Sequence, residues 1–183
     1  MATLQDTPTH PIVLAAGDGE HIWFTNAAMT ITATAQTTGG HLCLIETRAP
    51  VGHGPPLHIH HDEHEAFYIL EGAMEIVCGD ERYSASAGGF AFLPLGVPDT
   101  FRVTGGSPAR FLTLAVPGGL EGFFRDAGRP AEGPGLPPQT PPDVALLRRV
   151  GALQQRDRRT AARVAGAAEA AGGPERARKV RAY

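Results

Sequence analysis

Residues 52–72 read Gly52-His-Gly-Pro-Pro-Leu-His58-Ile-His60-His-Asp-Glu-His-Glu65-Ala-Phe-Tyr-Ile-Leu-Glu-Gly72 and hold five of the chain's eight histidines. His58 and His60 stand two residues apart, so on an extended backbone both imidazoles point to one face. Pro55 and Pro56 keep the approach to them extended. Residues 61–64 supply a short turn, and Glu65 then opens a run with strand character. Two imidazoles and one carboxylate converging in this way make a donor set suited to a divalent transition metal such as Fe, Mn, Ni, Co or Zn. Such a set leaves coordination positions open for another molecule.

Working outward, short runs rich in Ile, Val, Phe, Tyr and Thr read as strands at 11–15, 21–24, 28–36, 41–48, 66–71, 73–78, 82–85, 90–94, 100–104 and 109–116. Turn chemistry such as Thr38-Gly39-Gly40, Gly79-Asp80 and Gly105-Gly106-Ser107-Pro108 separates them, in a chain of 183 residues with 23 Gly and 16 Pro. Many short strands spaced by such turns predict an all-β sandwich or barrel, one domain over 1–128. Residues 120–127 predict a short helix ended by Gly128, the proline-rich stretch 129–142 a linker, and 143–150 a second short helix. From 151 to 183 the chain is Ala, Arg and Gly with few large apolar residues, and no regular structure is assigned to it.

Charge divides the chain unevenly. Up to residue 140 there are six Lys and Arg against fifteen Asp and Glu; from 141 on there are ten against four. An acidic body disfavours nucleic acid as a partner, because the phosphate contribution to affinity would be repulsive. No apolar run approaches the roughly 18 residues of a membrane span, and Met1-Ala-Thr-Leu-Gln-Asp6 has neither a basic nor an apolar leader region. The expectation is a soluble cytoplasmic protein. Cys43 and Cys78 each sit inside an apolar run, as reduced core residues do, and their number excludes a structural zinc site made of cysteines alone.

The fixed positions Gly52, His58, His60, Glu65 and Gly72 resemble the first motif of the cupins, G(X)5HXH(X)3–4E(X)6G, at every point. Gly88, Pro94 and Gly96 are similar to the second cupin motif, whose metal-binding histidine falls on Asp99 and whose terminal Asn falls on Val103. Residues 118–124 also look like the helix after the barrel in single-domain cupins related to quercetin 2,3-dioxygenase. The resemblance implies a double-stranded β-helix, or jelly-roll barrel, with one metal ion bound in its mouth by His58, His60 and Glu65. At Asp99 three readings stay open: a fourth ligand that hardens the donor set toward Mn or Fe, a base beside the metal, or a site that binds metal too weakly to matter.

On the same grounds the implied activity is oxygenation of a phenolic or enol-type small molecule, with Glu65 as ligand and proton acceptor and Asp99 sharing the second role. Non-redox isomerisation, cyclisation or decarboxylation uses the same donors, and a non-catalytic barrel that binds a small molecule is the reading from another class. His61 and His64 are expected to face solvent and His53 to line the rim. Trp23, Phe24, Phe67, Phe90, Phe92, Phe101 and Phe111 are expected in the core, Tyr68 in the core or on the pocket wall, and Phe123 and Phe124 across one end of the barrel. Residues 11–37 are the expected homodimer contact, where an N-terminal strand from a partner covers an exposed sheet edge.

Overall fold

A computed structural model describes residues 10–141 and, past them, Ala145, Leu146 and Arg149. In chain order the strands are β1 (Glu20–Phe24), β2 (Ala27–Ala33), β3 (Cys43–Ala49), β4 (His64–Glu71), β5 (Ala73–Cys78), β6 (Glu81–Ser86), β7 (Phe90–Leu93), β8 (Asp99–Thr104) and β9 (Ala109–Val116). Helix α1 (Leu120–Ala127) and the two-residue β10 (Arg129–Pro130) follow. The larger sheet runs β10-β1-β2-β3-β9-β4-β7 and the smaller β6-β5-β8. Every pairing is antiparallel. This is the jelly-roll barrel that the sequence implied.

The period of two decides what each strand buries. On β9, Ala109, Phe111, Thr113 and Ala115 are buried, while on β3 Cys43, Ile45, Thr47 and Ala49 are. Phe67, Ile69 and Phe111 of the larger sheet pack against Met74, Ile76 and Val103 of the smaller. Phe67, Phe101 and Phe111 meet edge to face, with centroids 5.2, 5.7 and 5.3 Å apart, a favoured aromatic arrangement. A second cluster joins Ile22, Phe24, Met29, Ile31 and Ile45 to Leu120 of α1. Gly72 carries the chain from one sheet to the other at φ 78°, and a Cβ there would meet Ala109 Cα at 2.9 Å.

Helix α1 occupies the expected residues. Buried Glu121 in its first turn accepts hydrogen bonds from the N–H groups of Gly119 and Ala35, both at 2.8 Å, which fixes the helix against the 34–42 loop. Phe123 and Phe124 then meet Phe24 edge to face, with centroids 5.6 and 5.1 Å apart.

Several expectations need correction. Residues 11–15 form no strand, because the outer edge of β1 is already paired with β10 through Ile22↔Pro130 and Trp23↔Arg129. That pairing covers β1 at Ile22 and Trp23. The proline-rich stretch is fastened at two points: Trp23 Nε1 donates to Gly135 O at 3.1 Å, and Thr140 N–H to Asn26 Oδ1 at 2.9 Å. Phe90 and Phe92 lie outside the core, 63% and 55% exposed, because it is Ala91 and Leu93 of β7 that face inward; Tyr68 is outside too, at 45%. Ala145, Leu146 and Arg149 are helical, whereas the expectation for 151–183 lies outside the described residues. Cys43 and Cys78 are free thiols. Among the described residues no helix is long and apolar enough to cross a membrane.

Candidate metal centre

The segment 52–60 runs antiparallel to β8 along its open side. Gly52 N–H donates to Val103 O at 2.9 Å and Val103 N–H to His53 O at 2.8 Å, while His58 and Asp99 exchange both backbone hydrogen bonds, at 3.0 and 2.9 Å. Thr100 Oγ1 donates to Pro55 O at 2.7 Å. At Gly54 a Cβ would stand 1.9 Å from Phe101 O, so only glycine permits this approach. Facing residues of an antiparallel pair share a face, and the His58 and Asp99 side chains are therefore brought together by the backbone itself.

The side chains converge. His58 Nε2 lies 3.1 Å from His60 Nε2 and 3.9 Å from Asp99 Oδ1, and the ligand atoms of these three residues all lie within 4.8 Å of one another. Glu65, facing inward from β4, stands beside the group with Oε2 3.6 Å from His60 Nε2. With bonds of about 2.1 Å, two ligand atoms on one ion sit about 3 Å apart at a right angle and about 4.2 Å apart when opposed. The separations of 3.1, 3.6 and 3.9 Å fall in that range.

The outer nitrogens sharpen the point. His58 Nδ1–H donates to Pro56 O at 3.0 Å, and His60 Nδ1–H to Glu63 Oε1 at 3.0 Å. With Nδ1 carrying the proton, a neutral ring has a bare lone pair on Nε2. Two such lone pairs 3.1 Å apart repel unless a proton or a metal cation lies between them. The donor set thus fits a divalent ion, held in the carboxylate–histidine–metal manner at His60.

Electrostatics show what occupies that position without metal. Burial alone pulls the His60 imidazole down, but the hydrogen bonds and charges of Glu63 and Glu65 outweigh it and push its pKa up to about 10. Burial holds the Asp99 carboxyl above the ordinary range, with Glu65 adding to the rise and the two histidines opposing it. The raised His60 pKa stabilises the metal-free fold fully below its ordinary value of 6.5, and that contribution fades as pH climbs toward about 10. A metal must displace the same proton, so apparent metal affinity is expected to rise with pH, by about tenfold per unit across neutrality, with proton release on binding. Titrations at several pH values check this, and a flat profile would contradict the His60 assignment.

The remaining histidines separate as follows. His61 is exposed. His64 points to the outer face of the sheet, stacked on Phe92 at 5.3 Å, and its Nδ1 accepts the Leu95 N–H at 3.0 Å. His53 lines the cavity beside Phe101, and burial lowers its pKa to about 4, which keeps it neutral near neutral pH. Glu63 was not among the residues that the sequence pointed to. It is 5% exposed, and the one sequence signal for it is the spacing His60-X-X-Glu63 in a polar turn.

Beside these donors opens a cavity of about 470 Å³. Phe24, Phe67, Phe101, Phe111, Phe123 and Phe124 form much of its wall, and none of its lining residues is Lys or Arg. Thr25 and Thr47 are polar points on that wall, each with a buried hydroxyl lacking a partner among the described residues.

The cupin domain family matches residues 45–115, which span β3 to β9 and include every candidate ligand. This part of the chain is similar to a cupin domain. Quercetin 2,3-dioxygenase of Bacillus subtilis is 27% identical over 135 residues, which are 74% of this chain and 40% of that protein. The uncharacterized protein MJ1618 of Methanocaldococcus jannaschii is 30% identical over 74 residues, 40% of this chain and 59% of that one. The chain thus spans less than two thirds of either relative. Among solved structures, a predicted oxalate decarboxylase of Thermotoga maritima has a TM-score of 0.53 at 18% identity, covering 58% of this chain and 99% of that chain. An oxalate decarboxylase variant of Bacillus subtilis has a TM-score of 0.50 at 20% identity, covering 60% of this chain and 31% of that one. At these identities the solved structures speak for the fold.

Proposed function

We propose that this protein is a metal-dependent cupin oxygenase acting on a phenolic or enol-type small molecule, with His58, His60, Glu65 and Asp99 holding one divalent transition ion per chain. The metal reading is carried by the two Nε2 atoms 3.1 Å apart, each on a ring whose Nδ1 is bound elsewhere. Support for the substrate class comes from the aromatic cavity and from the likeness to quercetin 2,3-dioxygenase. An ion at this site supplies Lewis acidity toward substrate oxygen atoms and, if it is iron or manganese, redox access to O2.

The chain's own groups do the rest. The phenylalanine wall takes a planar ring by edge and face contact and keeps water away from it. Glu65, beside the ion site and inside the barrel, accepts the hydroxyl proton as the substrate binds, and Asp99 serves as a second carboxylate able to hold that proton. Decarboxylation of a small dianion such as oxalate fits less well, because Asp62, Glu63 and Glu65 line the cavity with no cation among its lining residues to balance a second negative charge.

Oxygen uptake by the metal-loaded protein tests the reading, with a flavonol and a catechol as phenolic probes and oxalate as the contrast. The expected result is O2 consumption with a phenolic probe, none with oxalate, and a loss of about 100-fold or more in Glu65→Gln. Metal-loaded protein that consumes no O2 with any phenolic or enol probe would contradict the oxygenase reading.

A further inference from the structure

We propose that His53 is a substrate-binding residue, whose imidazole hydrogen-bonds a second hydroxyl group of the substrate at the end remote from the metal. The inference rests on the phenolic reading above and narrows it to phenols of two or more rings that carry such a hydroxyl. His53 lines the same cavity as His58, His60 and Glu65 but is not among the converging donors.

Local backbone chemistry puts the ring there. His53 N–H donates to Pro50 O at 3.1 Å, closing a turn over 50–53 whose third residue, Gly52, has φ 83°. A positive φ at that place marks a type II turn. Gly52 N–H donates to Val103 O at 2.9 Å and Val103 N–H to His53 O at 2.8 Å, so two residues of the segment face one residue of β8. This is a glycine β-bulge, a device that re-aims the neighbouring side chain. Val103 is buried, and His53 turns inward with it, half-buried and tilted on Phe101 with ring centroids 6.2 Å apart.

The fold itself makes no use of this ring's polar atoms. Among the described residues neither ring nitrogen of His53 has a hydrogen-bond partner, whereas His58, His60 and His64 each have one. Burial keeps the imidazole neutral near neutral pH, so it presents one donor and one acceptor. On a wall made mostly of phenylalanine, one such polar point fixes the orientation of a ligand. A hydroxyl group answers both functions of a neutral imidazole, since it can donate to one nitrogen or accept from the other.

The distance from the metal donors sets the length of the substrate. His58 faces Asp99, and His53 faces Val103 four residues on along β8, about 13 Å away at about 3.3 Å per residue. The opposite wall repeats the spacing. Glu65 stands in the row of Ala115 and Cys43, while Thr47, whose buried hydroxyl has no partner among the described residues, lies four residues on along β3. Phe101 and Phe67 occupy the interval on the two walls. A single ring seated at the metal leaves most of that span empty, whereas two or three rings in line fill it between two polar ends.

Titration calorimetry of the full-length, zinc-loaded protein tests the proposal without any redox step. The probes are unsubstituted flavonol and a flavonol with hydroxyls on its outer rings; the proteins are wild type, His53→Leu, His53→Phe and His53→Gln. Wild type is expected to bind the hydroxylated probe about 10-fold more tightly than the unsubstituted one. That ratio falls to near one in His53→Leu and His53→Phe at unchanged zinc content, and His53→Gln, which keeps a donor and an acceptor, retains much of it. Either apolar variant decides the matter if the other fails to fold. A wild type that binds both probes alike, or an apolar variant that keeps the preference, would overturn the role of His53 and leave the oxygenase reading standing. A zinc-loaded wild type that binds neither probe at about 1 mM would overturn both.

Discussion

His58→Ala is expected to lower the metal content from near one ion per chain to below about a tenth under the same purification, a loss in affinity of more than about 100-fold. The substitution deletes the Nε2 atom that stands 3.1 Å from His60 Nε2 and 3.9 Å from Asp99 Oδ1, and with it the centre of the converging group. Its effect on the fold should be small, since the His58 side chain is 36% exposed and its backbone pairing with Asp99 does not need the ring. Metal analysis beside a thermal melt separates the two effects. Asp99→Ala refines the result. Loss of metal there assigns Asp99 as a ligand, whereas retained metal with slowed turnover assigns it as a base.

The second large effect concerns stability. Phe111→Ala is expected to destabilise the fold by about 3–5 kcal/mol and to lower the melting temperature by about 10–20 °C. Phe111 is 1% exposed and completes the aromatic trio with Phe67 and Phe101 between the two sheets. Its removal leaves a void that rigid strands on both sides cannot collapse to fill. Urea unfolding measures the loss, and a cost below about 1 kcal/mol would mean that the barrel is not packed around this ring.

The histidine pair of the candidate site was legible in the sequence because it is local. His58-X-His60 places two rings on one face by the period of a strand, and the resemblance extended that pair to Glu65 and drew Asp99 to the same place. The backbone bridge between His58 and Asp99 gives that reading its geometry. Strands at 73–78 and 109–116 match to the residue, since turn chemistry bounds both.

What was not legible depends on partners far along the chain. Alternation says that Phe90 and Phe92 share a face, but which face of β7 meets the core is decided by its pairing with β4. Residues 11–15 have strand composition and no strand, because β10 holds the edge they would need. Glu63 looks like any solvated acid in a turn until His60 is seen to donate to it. Phe67 and Trp23, by contrast, are buried as expected, one between the sheets and one beneath Arg129, 4.7 Å above its ring.

The most direct test of the account is the metal content of the wild-type protein, purified without a histidine tag and measured by plasma mass spectrometry before and after incubation with Fe, Mn, Ni, Co and Zn salts. The account predicts close to one divalent transition ion per chain, bound more tightly as pH rises. A wild-type protein that holds no ion even after reconstitution would contradict it.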